Sequence, residues 1–336
     1  MDSFENLISD FINFRKEGLR VALVTLIDNN GSSPRPLGSQ MVVAEDSQYA
    51  GHLTGGGCAE SVIVAEAVAA MAARANRLLR LGAGSPYIDI QLPCGAGIDI
   101  YIDVDLSDAS IWCIDQALQS RQPIALDTDL SSGNHHSLTD RNHPLPDRVF
   151  RRWYIPRRRV LIMGKGYNTP TLGHLAAASD YEVLIMSPDQ KTLESSANLG
   201  LATQHIAAPS DCSDIQTDAW TAAVLLFHEH EREPGFLKVL LRSNCFYIGA
   251  LGSHRTHEQR VKQLKDLGFD EEIKRIHSPA GLDIKAKAPA EIAISILAEM
   301  TQVYHAANRS LLQTNGTRLL TPASESVGPR EFWSVG

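Results

Sequence analysis

The sequence has no CxxC pair, no excess of basic residues, no long apolar run and no internal repeat, and each absence closes a class of function. Its cysteines, Cys58, Cys94, Cys113, Cys212 and Cys245, form an odd, scattered set among 336 residues. That is too few for a disulfide framework, and the spacing is wrong for a structural zinc site. A reducing compartment is expected. With 31 Lys and Arg against 39 Asp and Glu, a formal net charge of -8, the chain lacks the basic surface that neutralising nucleic-acid phosphates requires. Nothing approaches the roughly 20 apolar residues that span a bilayer. The opening MDSFENLISDFINFRKEG lacks a basic n-region, an apolar core and a small-residue cleavage site. A cytoplasmic protein is therefore expected, with no membrane span, no nucleic-acid partner, and small molecules and proteins as its ligands.

What is present describes a globular protein, 43% hydrophobic and 21% charged. The length exceeds what one core holds, so two domains are expected. Residues 3 to 18 carry Phe4, Leu7, Ile8, Phe11, Ile12 and Phe14 at helical spacing. RVALVTLIDNN, MVVAED and YAGHLTGG read as strands, the stretch CAESVIVAEAVAAMAARANRLLR as an Ala-rich helix, and SPYIDIQLP and IDIYIDVDL as strands again. These make a mixed α/β N-terminal domain over 1–130. The polar, weakly periodic, Arg-rich stretch 131–156 reads as a linker. Its arginines Arg148, Arg151 and Arg152, with Arg157, Arg158 and Arg159 just beyond, read as solubilising or pairing groups. From 157 to 306, RVLIMGKGYNTPTLGHLAAASDYEVLIMSPD has βαβ proportions, AAVLLFHEH and CFYIGALGS add strands, and RTHEQRVKQLKDLGF and PAEIAISILAEMTQVYHA read as helices, the last opened by Pro289. The alternation predicts a Rossmann-like, doubly wound parallel sheet. A polar tail, 307–336, is expected to be partly disordered.

Five segments carry candidate chemistry. Gly55-Gly56-Gly57-Cys58-Ala59-Glu60 stands at a helix start, where unpaired N–H groups and the helix dipole stabilise anions, a thiolate included, and glycines let a ligand approach the backbone. A tight turn with an inert Cys fits the same residues, and Glu60 there can simply serve the dipole. Pro93-Cys94-Gly95-Ala96-Gly97 sets a second thiol in a glycine loop between strands, with an incidental turn as the alternative. Gly31-Ser32-Ser33-Pro34-Arg35-Pro36-Leu37-Gly38 offers hydroxyls, N–H groups and the Arg35 guanidinium to a phosphate or oxo-anion, or is a rigid turn with an exposed Arg. Gly164-Lys165-Gly166-Tyr167-Asn168-Thr169 compares with the dinucleotide fingerprint but has Thr169 at the third glycine and Ser187 where a ribose-binding acid is expected. His228-Glu229-His230-Glu231 ends an apolar strand, and His228 and His230 there are a metal-ligand pair or a solvated loop, with His254, His257 or His277 as completing ligands.

As an ordered set, GSSPRPLG at 31–38, GGGCAE at 55–60, PCGAG at 93–97, RVLIMGKG, LLFHEH, YIGALGSHRTHEQR at 247–260 and HSPAGLDIKAKAPAEIAISILAEM at 277–300 resemble the XdhC/CoxI family of molybdoenzyme maturation factors. The likeness runs over about residues 5 to 304. It implies an accessory protein for xanthine dehydrogenase maturation, a cofactor-binding chaperone more than a catalyst. Such a factor binds the molybdenum cofactor (molybdopterin), holds it while a cysteine desulfurase supports its sulfuration, and delivers it to an apo molybdenum hydroxylase. The implied site comprises Ser32, Ser33, Arg35, Gly55, Gly56, Gly57, Cys58, Glu60, Cys94 and Gly95, with Cys58 and Cys94 at the molybdenum and as candidate catalytic thiols. Gly164 and Gly166 are the candidate nucleotide contacts of the Rossmann-like half. The competing reading is an NAD(P)-dependent oxidoreductase working from that half, and the helix-flanked sheet offers a face for a homodimer. Departures from the family pattern are Ala96 for glycine, Lys165 and Tyr167 in the glycine loop, Ser187, and Lys285 in GLDIKA. Cys113, Cys212 and Cys245 sit in segments that read as ordinary packing.

Overall fold

The computed structural model describes residues 7–31, 35–54, 57–87, 97–140, 143–212, 215–227, 233–308 and 316–317. The chain divides into two compact units, one built from 7–114, 124–153 and 316–317, the other from 115–123 and 154–308.

The first unit opens with helix α1 (Ile8–Lys16), whose Ile8 and Phe11 are buried. Strands β1 (Val21–Asn30), β2 (Gln40–Ala44), β3 (Tyr49–Gly51), β4 (Arg77–Gly82) and β5 (Gly97–Asp103) form an antiparallel sheet in the order β3-β2-β1-β5-β4. Helix α2 (Cys58–Ala73) packs on one face. Its Ile63, Ala67 and Ala70 are fully buried against Val24, Leu26, Ile98, Ile100 and Ile102. The small Ala side chains bring helix and sheet close, and burying a residue such as Ile63 contributes roughly 1.5–3 kcal/mol.

Two readings of this unit change. The Ala-rich helix ends at Ala73 because Arg74 adopts a left-handed C-cap at φ 54°. RLLRLG then forms β4, whose Leu79 and Leu81 alternate into the core. Helix α3 (Asp108–Gln119) and strand β6 (Ile124–Asp129) follow. The stretch read as a linker contains β7 (His135–Leu138) and β8 (Val149–Tyr154), which with β6 and the short β15 (Gly316–Thr317) form a sheet in the order β15-β8-β6-β7. Its polar composition misleads because Arg151 points inward. Arg151 is buried and donates through Nε and Nη2 to Asp127 Oδ1 and Oδ2, both at 2.7 Å. Most of the tail after Asn308 lies outside the described residues.

The second unit is the expected doubly wound sheet. Strands β9 (Arg159–Gly164), β10 (Glu182–Ser187), β11 (Ala202–His205), β12 (Thr221–Leu226), β13 (Tyr247–Ala250) and β14 (Ile276–His277) lie parallel in the order β11-β10-β9-β12-β13-β14, the Rossmann arrangement. Helices α4 (Asn168–Ala178), α5 (Gln190–Ala197), α6 (Glu233–Leu241), α7 (His254–Asp266) and α8 (Pro289–Ala307) flank it. Alternate residues of β9 serve opposite faces. Val160 and Ile162 pack in the core with Leu172 of α4 and Ile296 of α8, whereas Leu161 and Met163 join that with Leu240 of α6 and Leu264 of α7.

One buried ion pair ties the carboxyl edge of this sheet together. Arg260 of α7 donates through Nη2 and Nε to Glu233 Oε2 at 2.6 and 3.2 Å, through Nη2 to the carbonyl of Leu251 at 3.0 Å, and through Nη1 to Ser278 Oγ at 2.8 Å. Both charged groups are almost fully buried. Arg260→Met removes the guanidinium from a buried carboxylate, and should cost about 3–5 kcal/mol. Urea denaturation followed by tryptophan fluorescence checks this, and an unchanged midpoint would contradict it.

Candidate functional site

The register of the five-stranded sheet sends three motif-bearing segments out of the same end. Asn30, the last residue of β1, pairs with Gly97, the first of β5, and Gly97 pairs with Gly82, the last of β4. On the other side Thr25 of β1 pairs with Gln40, the first residue of β2, and Met41 pairs with Gly51, the last of β3. The connections β1–β2, β3–α2 and β4–β5 therefore all leave from this end, and they contain residues 31–38, 55–57 and 93–96. Ser32, Ser33, Gly55, Gly56, Cys94 and Gly95 lie outside the described residues, as do His228 and His230. Arg35, Gly57, Cys58 and Glu60 are described.

Each connection is tied down by particular side chains. In the first, the sheet ladder extends past β2: Leu26 N–H donates to Ser39 O at 2.9 Å and Gly38 N–H to Leu26 O at 2.8 Å. Arg35, in the turn before them, is half-buried. In the third, Arg80 Nη1 donates to both Asp99 oxygens at 2.9 Å and Nε donates to the Ala83 carbonyl at 2.9 Å. The guanidinium passes directly over Gly97, where a Cβ would lie 2.8 Å from Nη2 and 2.7 Å from the Ala83 oxygen. A side chain at 97 would expel this clamp. Further along, Tyr87 donates its hydroxyl to Glu66 Oε1 on α2 at 2.6 Å, while Arg77 Nη1 donates to Glu66 Oε2 at 2.8 Å. The carboxylate hydrogen bond and partial burial push the Tyr87 phenol up to about 12. The segment carrying Cys94 thus starts at a residue fixed to α2 and ends at one fixed in the sheet.

The second connection holds the candidate thiol. Gly57 is the N-cap of α2 at φ 92°, a conformation that L side chains rarely adopt. A Cβ there would meet nothing within 4 Å, so the glycine is required by conformation and not by packing. Cys58 is the first helical residue and is exposed. Glu60, read as a dipole-serving residue, does more. It is 3% exposed, and its Oε1 accepts from the backbone N–H groups of Leu53 and Thr54, both at 3.2 Å, which folds the chain before the helix back onto the first turn. His52 Nδ1 stands 3.6 Å from the same oxygen. Glu60 Oε2 and Thr54 Oγ1 are both buried without a hydrogen-bond partner among the described residues. The turn thus presents an exposed thiol, a soft donor suited to a thiophilic metal, and within the same turn holds a carboxylate oxygen and a hydroxyl whose hydrogen-bonding capacity is not used. Glu60's position, three residues into a helix, is a capping position and was the available sequence signal.

The Rossmann glycine loop is differently committed. Gly166, at φ 81°, already donates its N–H to Thr192 Oγ1 at 2.9 Å. Thr192 is held in turn by Asp189, which accepts from its N–H at 2.8 Å and its Oγ1 at 2.7 Å as the N-cap of α5. Those hydrogen bonds keep the Asp189 carboxyl below the usual carboxylate range. Ser187 at the end of β10 is fully buried, and Gly164 is packed, with a Cβ there falling 2.7 Å from Leu226 Cβ. Thr169, in the third-glycine position, is also fully buried.

Sequence reading missed a second polar cluster in this unit. Glu299 of α8 accepts from Tyr247 Oη at 2.6 Å and from Gly281 N–H at 2.7 Å, and lies 3.2 Å from His277 Nδ1. Tyr247 and His277 stack with centroids 4.6 Å apart. Burial pushes the Glu299 carboxyl up, but the hydrogen bonds from His277, Tyr247 and Gly281 outweigh it and hold the group below its ordinary 4.5. Of the two other cysteines whose side chains are described, one differs from expectation. Cys245 is buried, its thiol pushed up to about 11 by that burial, whereas Cys113 on α3 is exposed. Among the described residues no three His, Cys, Asp or Glu side chains converge as a metal site, and no helix is long and apolar enough to cross a membrane.

The profile of the XdhC and CoxI family matches residues 14–82, and that of the XdhC Rossmann domain residues 160–300. Among similar proteins, the molybdenum cofactor insertion chaperone PaoD of Escherichia coli (strain K12) is 32% identical over 311 residues, covering 90% of this chain and 89% of that one. A Bacillus subtilis (strain 168) protein described as a probable xanthine dehydrogenase subunit is 24% identical over 335 residues, covering 90% and 98%. A crystal structure described as a xanthine dehydrogenase from Bacillus halodurans matches with a TM-score of 0.74 at 21% identity, over 91% of this chain and 99% of that chain, which shows a shared fold.

Two outcomes are expected from these clusters. Glu60→Ala removes the acceptor of two backbone N–H groups and should destabilise by about 1–3 kcal/mol, while Glu60→Gln, which keeps an acceptor oxygen, should lose less; thermal melts of both variants check the order. Because the folded Glu299 carboxyl titrates below its ordinary 4.5, its contribution is complete above that value and is lost as pH falls through the lower folded one. Glu299→Gln should therefore flatten the fall of urea stability with acid below about pH 4.5, and parallel acid limbs for the two proteins would count against it.

Proposed function

The chain belongs to the XdhC and CoxI family, and from that premise we propose that it is an accessory protein of molybdenum-cofactor maturation. The molybdenum cofactor is its cargo. The protein binds it at the end of the five-stranded sheet, holds it while a cysteine desulfurase supplies its sulfur, and delivers it to an apo molybdenum hydroxylase. The observation that carries this reading is the common exit of the three motif-bearing connections from one sheet end.

Cys58 supplies a thiol to the metal and the amides of the first α2 turn face the cofactor's phosphate, where the helix dipole favours negative charge. Arg35 and the hydroxyls of Ser32 and Ser33 serve the same anion. Glu60 Oε2 and Thr54 Oγ1 accept the N–H donors of the pterin. The segment from Tyr87 to Cys94 reaches about 24 Å when extended, and Glu66, which anchors Tyr87, is about 12 Å along α2 from Cys58. Cys94 is thus within reach of the same ligand. When bound, the cofactor supplies a metal whose ligand exchange requires a shielded site, and the chain's part is to bind, orient and exclude water.

The oxidoreductase reading rests on the strand order of the second unit, which is that of dinucleotide-binding sheets. Against it, the Gly166 amide is held by Thr192 and the end of β10 offers a buried Ser187 in place of an acid.

Protein purified from cells that make the cofactor should carry molybdenum and pterin in equal amounts. Cys58→Ser should retain at most about a tenth of the metal, a loss of about 1.4 kcal/mol or more, with an unchanged circular dichroism spectrum. Absence of both metal and pterin from the wild-type protein would overturn the reading.

A further inference from the structure

The second unit contains a cleft on the face of the sheet, lined by none of residues 164–169, whose chemistry the maturation reading does not use. Its origin is topological. To pass from β11 at the sheet edge to β12, the chain must cross the face of β10 and β9. The connection between His205 and Thr221 contains, among the described residues, a single 3-10 turn at Pro209–Cys212, where the connections β9–β10 and β13–β14 carry α4 and α7. Ile206 and Ile215 cover part of that face. A cavity of about 380 Å³ remains over Leu161 and Met163, walled by Ile215 and by Val239 of α6.

The rim is not apolar. Lys238 and Arg242, four residues apart, both line the cavity, as do Thr217 and Ser243. Neither cation is ion-paired with a carboxylate among the described residues. Arg242 is steadied by Phe269, with its guanidinium carbon 5.5 Å from the ring centroid, an arrangement that leaves its N–H donors available. The neighbouring acid cannot neutralise them. Asp218, next to Thr217, is engaged by Arg121 through Nε at 2.5 Å and Nη2 at 3.3 Å. In a chain with a net charge of -8, two unpaired cations above an apolar floor are a local reversal of sign.

We propose that this cleft binds a small organic anion with an apolar body, an aryl or alkyl carboxylate or phosphate monoester. Its volume falls within the ordinary range of small-molecule sites, about 300–1,000 Å³. The apolar body lies on Leu161, Met163 and Val239, and the anionic head meets Lys238 and Arg242, with the Thr217 hydroxyl as a further donor. Binding there loads α6, whose first residue, Glu233, is the partner of Arg260, so the ligand stiffens the edge of the Rossmann sheet. The cleft shares no residue with the cofactor site.

The full-length protein is titrated with 8-anilinonaphthalene-1-sulfonate, an aromatic anion, and the bound dye is displaced with octanoate, octyl phosphate or, as controls, octanol and octylamine. Saturable binding at one site per chain is expected, displaced by the two anions and not by the controls. The double variant Lys238→Glu with Arg242→Glu should weaken dye binding at least tenfold, and Val239→Trp, which fills the cleft and keeps both cations, should do the same. Circular dichroism and urea midpoints verify that each variant is folded, and the single variant decides if the double one is not. Dye affinity unchanged in a folded variant, or displacement by octanol equal to that by octanoate, would overturn the proposal. Molybdenum loading of Val239→Trp should match wild type, so that a failure of this site and a failure of the maturation reading are read separately.

Discussion

The end of the five-stranded sheet depends on one contact, the passage of the Arg80 guanidinium over Gly97. Arg80 links β4 to β5 through Asp99 and closes the turn after β4 through the Ala83 carbonyl. It does so across a residue where any Cβ would lie only 2.8 Å from Nη2. Because Gly97 also pairs with Asn30 of β1, the same point fixes where β1 ends and hence where the first connection begins. Glu66 performs the complementary task on α2, holding Tyr87 and Arg77 together. Paired polar and charged groups thereby hold the ends of connections that are rich in glycine, proline and serine. A rigid frame under permissive loops is the arrangement that lets a backbone approach a bulky ligand without surrendering the fold.

The second unit uses similar devices to the opposite effect. Gly166 has the left-handed conformation of a phosphate-binding loop, yet its amide is engaged by Thr192 and the responsible acid, Asp189, is engaged as a helix cap. The carboxyl edge is joined by Glu233, Arg260 and Ser278, and the turn after β14 is drawn to α8 by Glu299. At the glycine loop the Gly166 amide, Thr192 and Asp189 thus bond one another. The fold class of this half and its capacity for a nucleotide are therefore separate questions, the first answered by strand order and the second by where individual hydrogen bonds go.

The same distinction explains what was legible in the sequence. Long periodic segments were plain: α7, α8 and the βαβ unit from Arg159 to Ser187 follow from apolar spacing, and Pro289 opens α8 as its position suggests. The end of α2 was hidden because Arg74 terminates it by backbone conformation, with no Gly or Pro to mark the stop. Strand β8 was hidden because an Arg-rich composition reads as solvent-facing, whereas Arg151 is inward and paired to an Asp 24 residues earlier. Pairings at such separations leave no local trace. At the candidate site the thiol and the glycines were legible as residue types, while the role of Glu60 required knowing that the chain before the helix returns within reach of its carboxylate.

Gly57 and Gly164 both stand in glycine motifs, but a Cβ at 57 would enter open space, whereas one at 164 would strike Leu226. Gly164 serves the packing of β9 against β12, and its presence says nothing about a ligand. Gly57 serves a backbone conformation next to an exposed cysteine, with a buried, half-satisfied carboxylate three residues on. An unsatisfied buried oxygen is costly unless something meets it. In the first unit such oxygens are Glu60 Oε2 and Thr54 Oγ1, in the turn that opens α2; in the glycine loop of the second unit the Gly166 amide is matched by Thr192, and Thr169 Oγ1 is the buried oxygen without a partner among the described residues. What separates the two glycine motifs is the exposed thiol at the start of α2, which the glycine loop of the second unit lacks.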